Sequence, residues 1–316
     1  MASKKSSPKV AVVSTVFNEE TTVSSLVSAL KSQTLAPFEV VVVDGGSSDG
    51  TYIRLKQEAK KWPTLKIYQV PGNRSVGRNL AVSHTTAPLI AFTDAGCQPQ
   101  PSWLEELVKP FESSGIQVVS GYYQGLPHSV FEKCLVPYVL VMPDKAAKTE
   151  FFPSTRSMAM RRDIWNQSGG FDIRLNHNED YAFAHWLKRM GVNFVFAPKA
   201  IVSWIPRKNL RQAAWMFTRF AIGDVQAGII RPKVKMLFLR YLIFIYLFSL
   251  AFQSPTLFFP LSLVAVLYVL WSINKNFRYV RHPLAFFWLP VLQITADMSV
   301  MFGTLVGLLA KLYGLF

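Results

Sequence analysis

The chain has 316 residues, of which 34 are lysine or arginine and 19 are aspartate or glutamate, so its formal net charge is +15. Half of the residues are hydrophobic, which is more apolar surface than a nucleic-acid-binding protein usually carries; we therefore expect a membrane partner and no nucleic acid. The two cysteines, Cys97 and Cys134, are widely separated and match no metal-ligand spacing, which argues against a disulfide framework or a zinc site.

The first part of the chain, up to about residue 230, predicts an α/β domain. Short apolar runs alternate there with segments of helical character: VAVVSTV at residues 10–16, EVVVVDG at 39–45 and LIAFTDA at 89–95. This order is typical of a parallel sheet with right-handed crossovers, in which ligands bind at the carboxyl ends of the strands. The letters MASKKSSPK lead directly into the first run, so we expect no signal peptide.

A polar residue lies at the carboxyl end of each of these three runs. Glu19 follows the first, Asp44 closes the second beside Gly45 and Gly46, and Asp94 closes the third. Adjacent glycines at such a strand tip let the backbone approach a flat ligand closely, so Asp44 is a candidate ligand. The alternative is a turn acid that caps the next helix, a position for which Asp49 is better placed. Glu19 has two similar interpretations, because acids favour the first turn of a helix.

Two arginines and two acids complete the set of charged candidates. Arg74 and Arg78 lie four residues apart around the glycine-containing loop PGNRSVG, where guanidinium groups can pair with diphosphate oxygens in a bidentate manner. Exposure to solvent is the alternative for Arg74. Glu179 and Asp180 follow the letters GGFDIRLNHN and open a predicted helix, whose dipole stabilises carboxylates in its first turn.

An aromatic and basic segment, SWIPRKNLRQAAWMFTRFAIGDVQAG, ends this domain. Its alternation of arginines with aromatic residues is typical of a helix that lies in the membrane interface and meets anionic headgroups or a lipid phosphate. We therefore expect an interfacial amphipathic linker over about residues 203–235, with Arg207 and Arg211 near an acceptor or a lipid. Trp103 is a further candidate on the acceptor side, with a packed core aromatic as the alternative.

A membrane region is predicted from about residue 236 to residue 316. Apolar stretches at 236–252 and 256–272 are broken by the letters QSP and predict a hairpin of two membrane helices. Basic residues precede this hairpin and follow it, whereas its turn is uncharged, so both basic segments are expected in the cytoplasm. The sequence thus predicts an integral membrane protein whose N-terminal domain is cytoplasmic.

A third apolar stretch, 284–310, is interrupted by polar residues. Asp297 lies within it, and a carboxylate at membrane depth marks either a function or a structural contact inside a helix bundle. Gly303 and Gly307 have the spacing that lets two helices approach closely. Either a full crossing or a partly interfacial position agrees with this pattern, so we expect two to three transmembrane helices.

Four segments in the N-terminal domain together resemble the consecutive motifs of inverting family 2 glycosyltransferases. They are VSTVFNEETTVSSLVSALKSQT, VVVDGGSSDGT, GRNLAVSHTTAPLIAFTDAG and GGFDIRLNHNEDYAFAHWLKRMG. They keep the order and approximate spacing of that family over most of residues 9–192. The resemblance implies a GT-A fold, a Rossmann-like domain that binds nucleotide-diphospho-sugars, followed here by the α-helical membrane region.

The resemblance also implies roles for the candidate residues. Asp44 would contact the nucleotide base, and Glu19 would border the nucleoside. Asp180 would be the catalytic base, with Glu179 beside it to orient the acceptor. Asp94 matches the metal position, but the family usually has two acids around one residue, whereas this chain has Asp94, Ala95 and Gly96. We still expect Mg²⁺ or Mn²⁺, held by one carboxylate, the diphosphate and water.

The sequence therefore predicts a membrane-anchored inverting glycosyltransferase. It would move one sugar from a nucleotide-diphospho-sugar, with a UDP-sugar favoured, to a lipid-linked or membrane-proximal acceptor. A processive synthase is not expected, because the family's Gln-x-x-Arg-Trp motif has no counterpart at Gln212. Two alternatives remain open: a polyprenyl-phosphate sugar synthase, and a non-catalytic membrane scaffold that binds nucleotide sugars.

Overall fold

A computed structural model of the protein describes residues 8–146 and 151–315 and divides the chain into two compact units. The first unit contains the chain up to Gln124 and again from Met142 to Ile205. The second contains Gly125–Val141 and the chain from Pro206 onward.

The first unit is built on one eight-stranded mixed sheet, with strand order β3-β2-β1-β4-β7-β6-β8-β5. The strands are β1 (Val10–Val16), β2 (Glu39–Asp44), β3 (Leu65–Gln69), β4 (Leu89–Phe92), β5 (Cys97–Pro99), β6 (Val118–Gly125), β7 (Met158–Arg161) and β8 (Phe194–Trp204). The helices of this unit are α1 (Val23–Lys31), α2 (Thr51–Lys61), α3 (Arg74–Ser83), α4 (Trp103–Val108), α6 (Pro143–Ala146), α7 (Arg162–Ser168) and α8 (Glu179–Arg189).

The parallel half of the sheet agrees with the sequence analysis. Strand β1 pairs in parallel with β2 on one side and with β4 on the other, and β2 pairs in parallel with β3. The valines at 40–43 are fully buried, as expected for a parallel strand that is covered by helices on both faces. The expected α/β fold is confirmed. The sequence analysis did not predict the antiparallel half, in which β7 pairs with β4 and β6 while β5 pairs with β8.

The second unit is helical. It contains α5 (Val130–Val139), α9 (Leu210–Gln226), α10 (Pro232–Ala251), α11 (Phe258–Val280) and α12 (Ala285–Leu312). In the part of the chain that the structure describes, three of these helices, α10, α11 and α12, are long and apolar enough to cross a membrane. Their positions in a bilayer, and the boundary expected near residue 230, stay predictions.

Helix α11 is longer than the apolar stretch that predicted it. The polar letters INKNFRYV, which follow that stretch, form its last two turns. Ser272 and Asn276 are buried there, and Lys275 donates a 3.2 Å hydrogen bond to Gln293 of α12. Contacts with neighbouring helices thus extend the helix beyond its apolar core.

Candidate active site

Asp44 lies where β2 ends and holds the turn that follows. Its Oδ1 atom accepts hydrogen bonds of 2.7 Å from the backbone N–H groups of Gly46 and Ser47, and Gly46 has a φ of +90° that favours glycine. The other oxygen, Oδ2, is buried and receives no hydrogen bond from any described residue. Asp44 is therefore a turn acid that keeps one acceptor available, since a buried unpaired oxygen is costly unless a ligand pairs with it. Asp49, as expected, serves the helix start, where it accepts from the N–H of Thr51.

Glu19 sits beside this turn at the end of β1. Its backbone N–H donates a 2.8 Å hydrogen bond to Thr51 Oγ1, and its carboxylate accepts from the hydroxyl of Thr22. Its carbonyl oxygen accepts from the N–H groups that begin α1. These contacts match the helix-start interpretation; a contact of Glu19 with a nucleoside stays a prediction.

Arg78 is the centre of the charged cluster. Its guanidinium is 3% exposed and makes hydrogen bonds of 2.6 Å to Glu179 and 2.8 Å to Asp94. Burial alone would lower the pKa of Arg78, but the carboxylates of Asp94 and Glu179 more than compensate and raise it. Helix α3 can place the arginine here because Gly77, one residue earlier, packs directly on Thr15 of β1.

Asp94 follows β4 and lies among three arginines. Burial disfavours its charge, but the positive charges of Arg78, Arg156 and Arg74 outweigh that effect and hold its pKa below the usual range. Of the three, Arg74 is exposed at the start of α3. The site thus keeps Asp94 ionised and brings near it the guanidinium groups of Arg74 and Arg156, which can pair with a diphosphate.

Arg156 belongs to this site, although the sequence analysis assigned it no role. Its guanidinium lies over the rings of Tyr123 and Trp204, at 5.3 Å and 5.9 Å from their centroids. Burial opposes its charge, but Tyr123, Asp180 and Asp94 raise its pKa. No spacing in the sequence singles out this arginine, because its neighbours come from strands far away along the chain.

The two acids that open α8 face different partners. Glu179 is buried and holds Arg78, whereas Asp180 accepts a 2.7 Å hydrogen bond from Ser154 Oγ. Any effect of Glu179 on an acceptor would therefore pass through Arg78. Asp180 lies close enough to Arg156 to interact with its charge. The helix begins after Asn178, which has a left-handed φ of 56° and turns the chain into this position.

The three candidates for the acceptor side differ in burial. Trp103 is fully buried, and its indole N–H donates a 2.8 Å hydrogen bond to Ser157, so its ring faces are covered by protein. The structure thus places it in the core, the alternative considered above. Arg207 and Arg211 are exposed residues of the second unit, just before α9 and within it.

The residues present can offer a divalent metal one ligand. Asp94 is 30% exposed on its side chain, and Arg78 engages only its Oδ1 atom, so the other oxygen is open. Within residues 8–146 and 151–315, no group of three or more His, Cys, Asp or Glu side chains could hold a metal by itself. A metal here would need diphosphate oxygens and water for its other positions, which fits Mg²⁺ or Mn²⁺.

Residues 11–164 match the family model described as "Glycosyl transferase family 2". The chain is 28% identical over 204 residues to "Glycosyltransferase AglE" of Haloferax volcanii, which covers 61% of this chain and 66% of that protein. It is 30% identical over 145 residues to "Undecaprenyl-phosphate 4-deoxy-4-formamido-L-arabinose transferase" of Serratia proteamaculans, which covers 44% of each chain. The matches thus span less than two thirds of either relative.

A solved structure has the same fold. It is described as "Mannosyltransferase PcManGT from Pyrobaculum calidifontis in complex with GDP-Man and Mn2+", and it superimposes with a TM-score of 0.56 at 18% identity, covering 93% of this chain and 87% of that one. The likeness confirms the expected GT-A fold.

Proposed function

We propose that this chain, whose residues 11–164 match the family model "Glycosyl transferase family 2", is an inverting enzyme that transfers one sugar from a nucleotide-diphospho-sugar to a lipid-linked or membrane-proximal acceptor. The observation that carries the proposal is the charged cluster around Arg78, which joins Asp94 and Glu179 at the carboxyl edge of the parallel strands. Asp180 and Arg156 border the same cluster. Open α/β sheets bind their ligands at this edge.

The donor would lie along this edge. The free oxygen of Asp44 would accept an N–H of the base, after a small movement that exposes it. Because Arg78 is already paired with two carboxylates, the arginines that would meet the diphosphate are Arg74 and Arg156. A divalent metal bound at Asp94 would neutralise charge on the leaving diphosphate.

Asp180 would act as the general base. As the acceptor hydroxyl oxygen forms its bond to the anomeric carbon, its proton passes to a carboxylate oxygen of Asp180. The bond from the anomeric carbon to the diphosphate oxygen breaks on the opposite face, and the leaving diphosphate takes the electron pair, so the configuration inverts. The hydroxyl of Ser154, which donates to Asp180, would hold the carboxylate in position.

A second candidate function is the transfer of the sugar to a polyprenyl phosphate. The relative from Serratia proteamaculans carries undecaprenyl phosphate in its name, and the arginine-rich site suits a phosphate acceptor. Such an acceptor is already ionised and needs no base. Asp180→Asn should therefore reduce the rate of transfer to a hydroxyl acceptor by a factor of about 100 or more, but leave the rate of transfer to a phosphate acceptor largely unchanged.

The first experiment measures donor binding and hydrolysis by the detergent-purified protein. The donors are UDP-, GDP- and dTDP-sugars, each with and without Mn²⁺, and the variants are Asp94→Ala and Asp180→Asn. Turnover that needs Mn²⁺ and Asp94 supports the proposal and the metal. Nucleotide binding without turnover of any donor would instead support the non-catalytic scaffold.

The membrane part of the proposal rests on charge and hydropathy. The hairpin of α10 and α11 would cross the bilayer, with the basic residues around Arg231 and Arg278 and the catalytic domain in the cytoplasm. Soluble donor would then reach the site from the cytosol while the acceptor lipid stays in the bilayer.

A further inference from the structure

Helix α12 differs from the two helices of the hairpin in how much of it is covered by protein. In the most apolar window of α12, 39% of the residues are buried, compared with 11% in each helix of the hairpin. Its buried face also carries polar side chains, among them Gln293, Asp297 and Thr304. The neighbours that cover this face indicate where α12 lies.

The first half of α12 packs on α5. The ring of Trp288 meets Phe131 at 5.0 Å, and the hydroxyl of Tyr138 donates a 2.8 Å hydrogen bond to the carbonyl of Leu289. Helix α5 has only ten residues and includes Glu132 and Lys133. A helix so short and charged cannot lie in the hydrocarbon core, so it keeps this half of α12 near the membrane surface.

The second half of α12 packs on α9. A side chain added at Gly303 would meet the carbonyl oxygen of Thr218 and, at 2.9 Å, Cβ of Ala221; one added at Gly307 would meet Cβ of Val225 at 2.9 Å. The glycines thus allow close helix packing, as expected, with α9 as the partner. Helix α9 includes Arg211, Arg219 and Asp224 and is too polar to cross.

In the described part of the chain, the hydrogen bonds and ring contacts between α12 and the hairpin end halfway along α12. They involve α12 residues no later than Asp297, which accepts from Arg240, Tyr241 and Tyr268. A helix that crossed beside the hairpin would continue such contacts toward its far end. Arg240, which binds Asp297, lies five residues after Lys235 in α10, a distance of roughly 8 Å along the helix. With Lys235 at the membrane surface, Asp297 lies at a shallow depth in the bilayer.

The face of α12 opposite these partners is apolar and exposed. Six of its large side chains are between 43% and 61% exposed, and they recur at helical spacing: Phe287, Ile294, Met298, Phe302, Leu305 and Leu309. Helix α9 also carries an exposed cation and an exposed aromatic ring, since Arg219 lies over the ring of Trp215 at 4.9 Å. Apolar side chains beside aromatic and basic ones are typical of a surface that rests in a bilayer interface.

We propose that α12 does not cross the membrane but lies in its interface, where it forms a platform together with α5 and α9. Only the hairpin of α10 and α11 then crosses the bilayer. The partner of this platform is a lipid bilayer with anionic headgroups. Two crossings return the chain to the side from which it entered, so the end of α12 shares the side of the catalytic domain. Catalysis plays no part in this inference.

Spin labels measure the depth of α12 in reconstituted vesicles. Ile294→Cys and Leu305→Cys lie on one exposed face, 11 residues or roughly 16 Å apart along the helix. We expect equal, shallow depths for the two labels, whereas a crossing helix would place them at depths that differ by most of that length. Labels that lie in neither lipid nor water would indicate a second protein copy on this face and would also overturn the proposal.

A membrane-impermeant maleimide tests the topology independently. The probes are Lys31→Cys in the catalytic domain, Ser254→Cys in the hairpin turn and Tyr313→Cys after α12, all at exposed positions. The native Cys97 and Cys134 are buried, so unmodified protein is the control for background labelling. Tyr313→Cys should react from the same side as Lys31→Cys, and Ser254→Cys from the other; any other distribution contradicts the proposal.

Discussion

At the scale of single residues, the site depends on how its charges are paired. Arg78 brings together Asp94, which follows β4, and Glu179, which opens α8, and its pair with Glu179 is buried. Removing one member of a buried ion pair is costly because the partner stays behind without a counter-charge. A side chain in this position therefore supports both stability and the placement of Asp94 and Glu179.

Arg78→Gln should lower the free energy of unfolding by about 3–5 kcal/mol and reduce donor turnover, because Asp94 and Glu179 lose their common partner. Arg54→Gln is the matched control, since Arg54 pairs with Glu20 at the surface, where such pairs contribute less than about 1 kcal/mol. Denaturant unfolding in detergent measures both. Equal losses in the two variants would show that the buried pairing is not important for stability.

Arg156→Gln should weaken donor binding about tenfold, because in the proposed function Arg156 is one of the two cations that would face the diphosphate. Arg156→Lys retains the charge but loses the planar group over Tyr123 and Trp204, and should fall between this variant and the wild type. Titration with nucleotide diphosphate gives the dissociation constants. A wild-type constant for Arg156→Gln would remove this residue from the donor site.

The lowered pKa of Asp94 predicts a pH-dependent contribution to stability. An unfolded aspartate has a pKa of about 3.9 and the folded pKa is lower, so ionised Asp94 stabilises the fold above about pH 4, and this contribution is lost as the pH falls through the folded pKa. Asp94→Asn should therefore melt at a lower temperature than the wild type at pH 7, and the difference should shrink at pH 3. A difference that is the same at both values would contradict this account.

At the scale of elements, close approach between helices depends on small residues at the contact. The α9–α12 pair needs glycine at positions 303 and 307, where a side chain would collide with α9. Neighbouring positions on α12 face outward and tolerate bulk. Helix α12 thus has a packing face, marked by its glycines, and an exposed face, which carries large side chains.

Gly303→Leu should destabilise the helical unit by about 1–3 kcal/mol, because the added side chain forces α9 and α12 apart. Phe302→Leu is the control, since Phe302 is 61% exposed on the opposite face and stays apolar. Thermal unfolding followed by helical circular dichroism compares the two variants. A larger loss for Phe302→Leu would place the packing face of α12 elsewhere.

At the scale of the whole molecule, a strong positive charge is combined with an apolar helical unit. A protein held only by electrostatic attraction would be released from anionic membranes by salt or alkali. A protein held by two membrane-crossing helices would stay bound under both treatments. Membranes that contain the protein should therefore retain it through washes with high salt and alkaline carbonate, and release it only to detergent. Release by either wash would show that the hairpin does not cross.

The sequence predicted the parts of the fold in which local pattern decides the structure. Four buried valines before Asp44 predicted a central parallel strand, and the resemblance placed Asp94, Glu179 and Asp180 in one site; the structure brings these acids to the same cluster. The sequence did not predict the antiparallel strands, because short runs such as the one ending at Arg161 acquire their partners only in the folded chain.

What the sequence by itself determined about this protein is its resemblance to family 2 glycosyltransferases, its parallel sheet and its apolar C-terminal helices, because each follows from motifs or periodicities along the chain. Only the tertiary structure decided that Arg156 joins the site, that Trp103 is a core residue and that Glu179 holds Arg78. The physical reason is that burial and charge pairing depend on residues far apart in sequence. No local pattern records which of them meet.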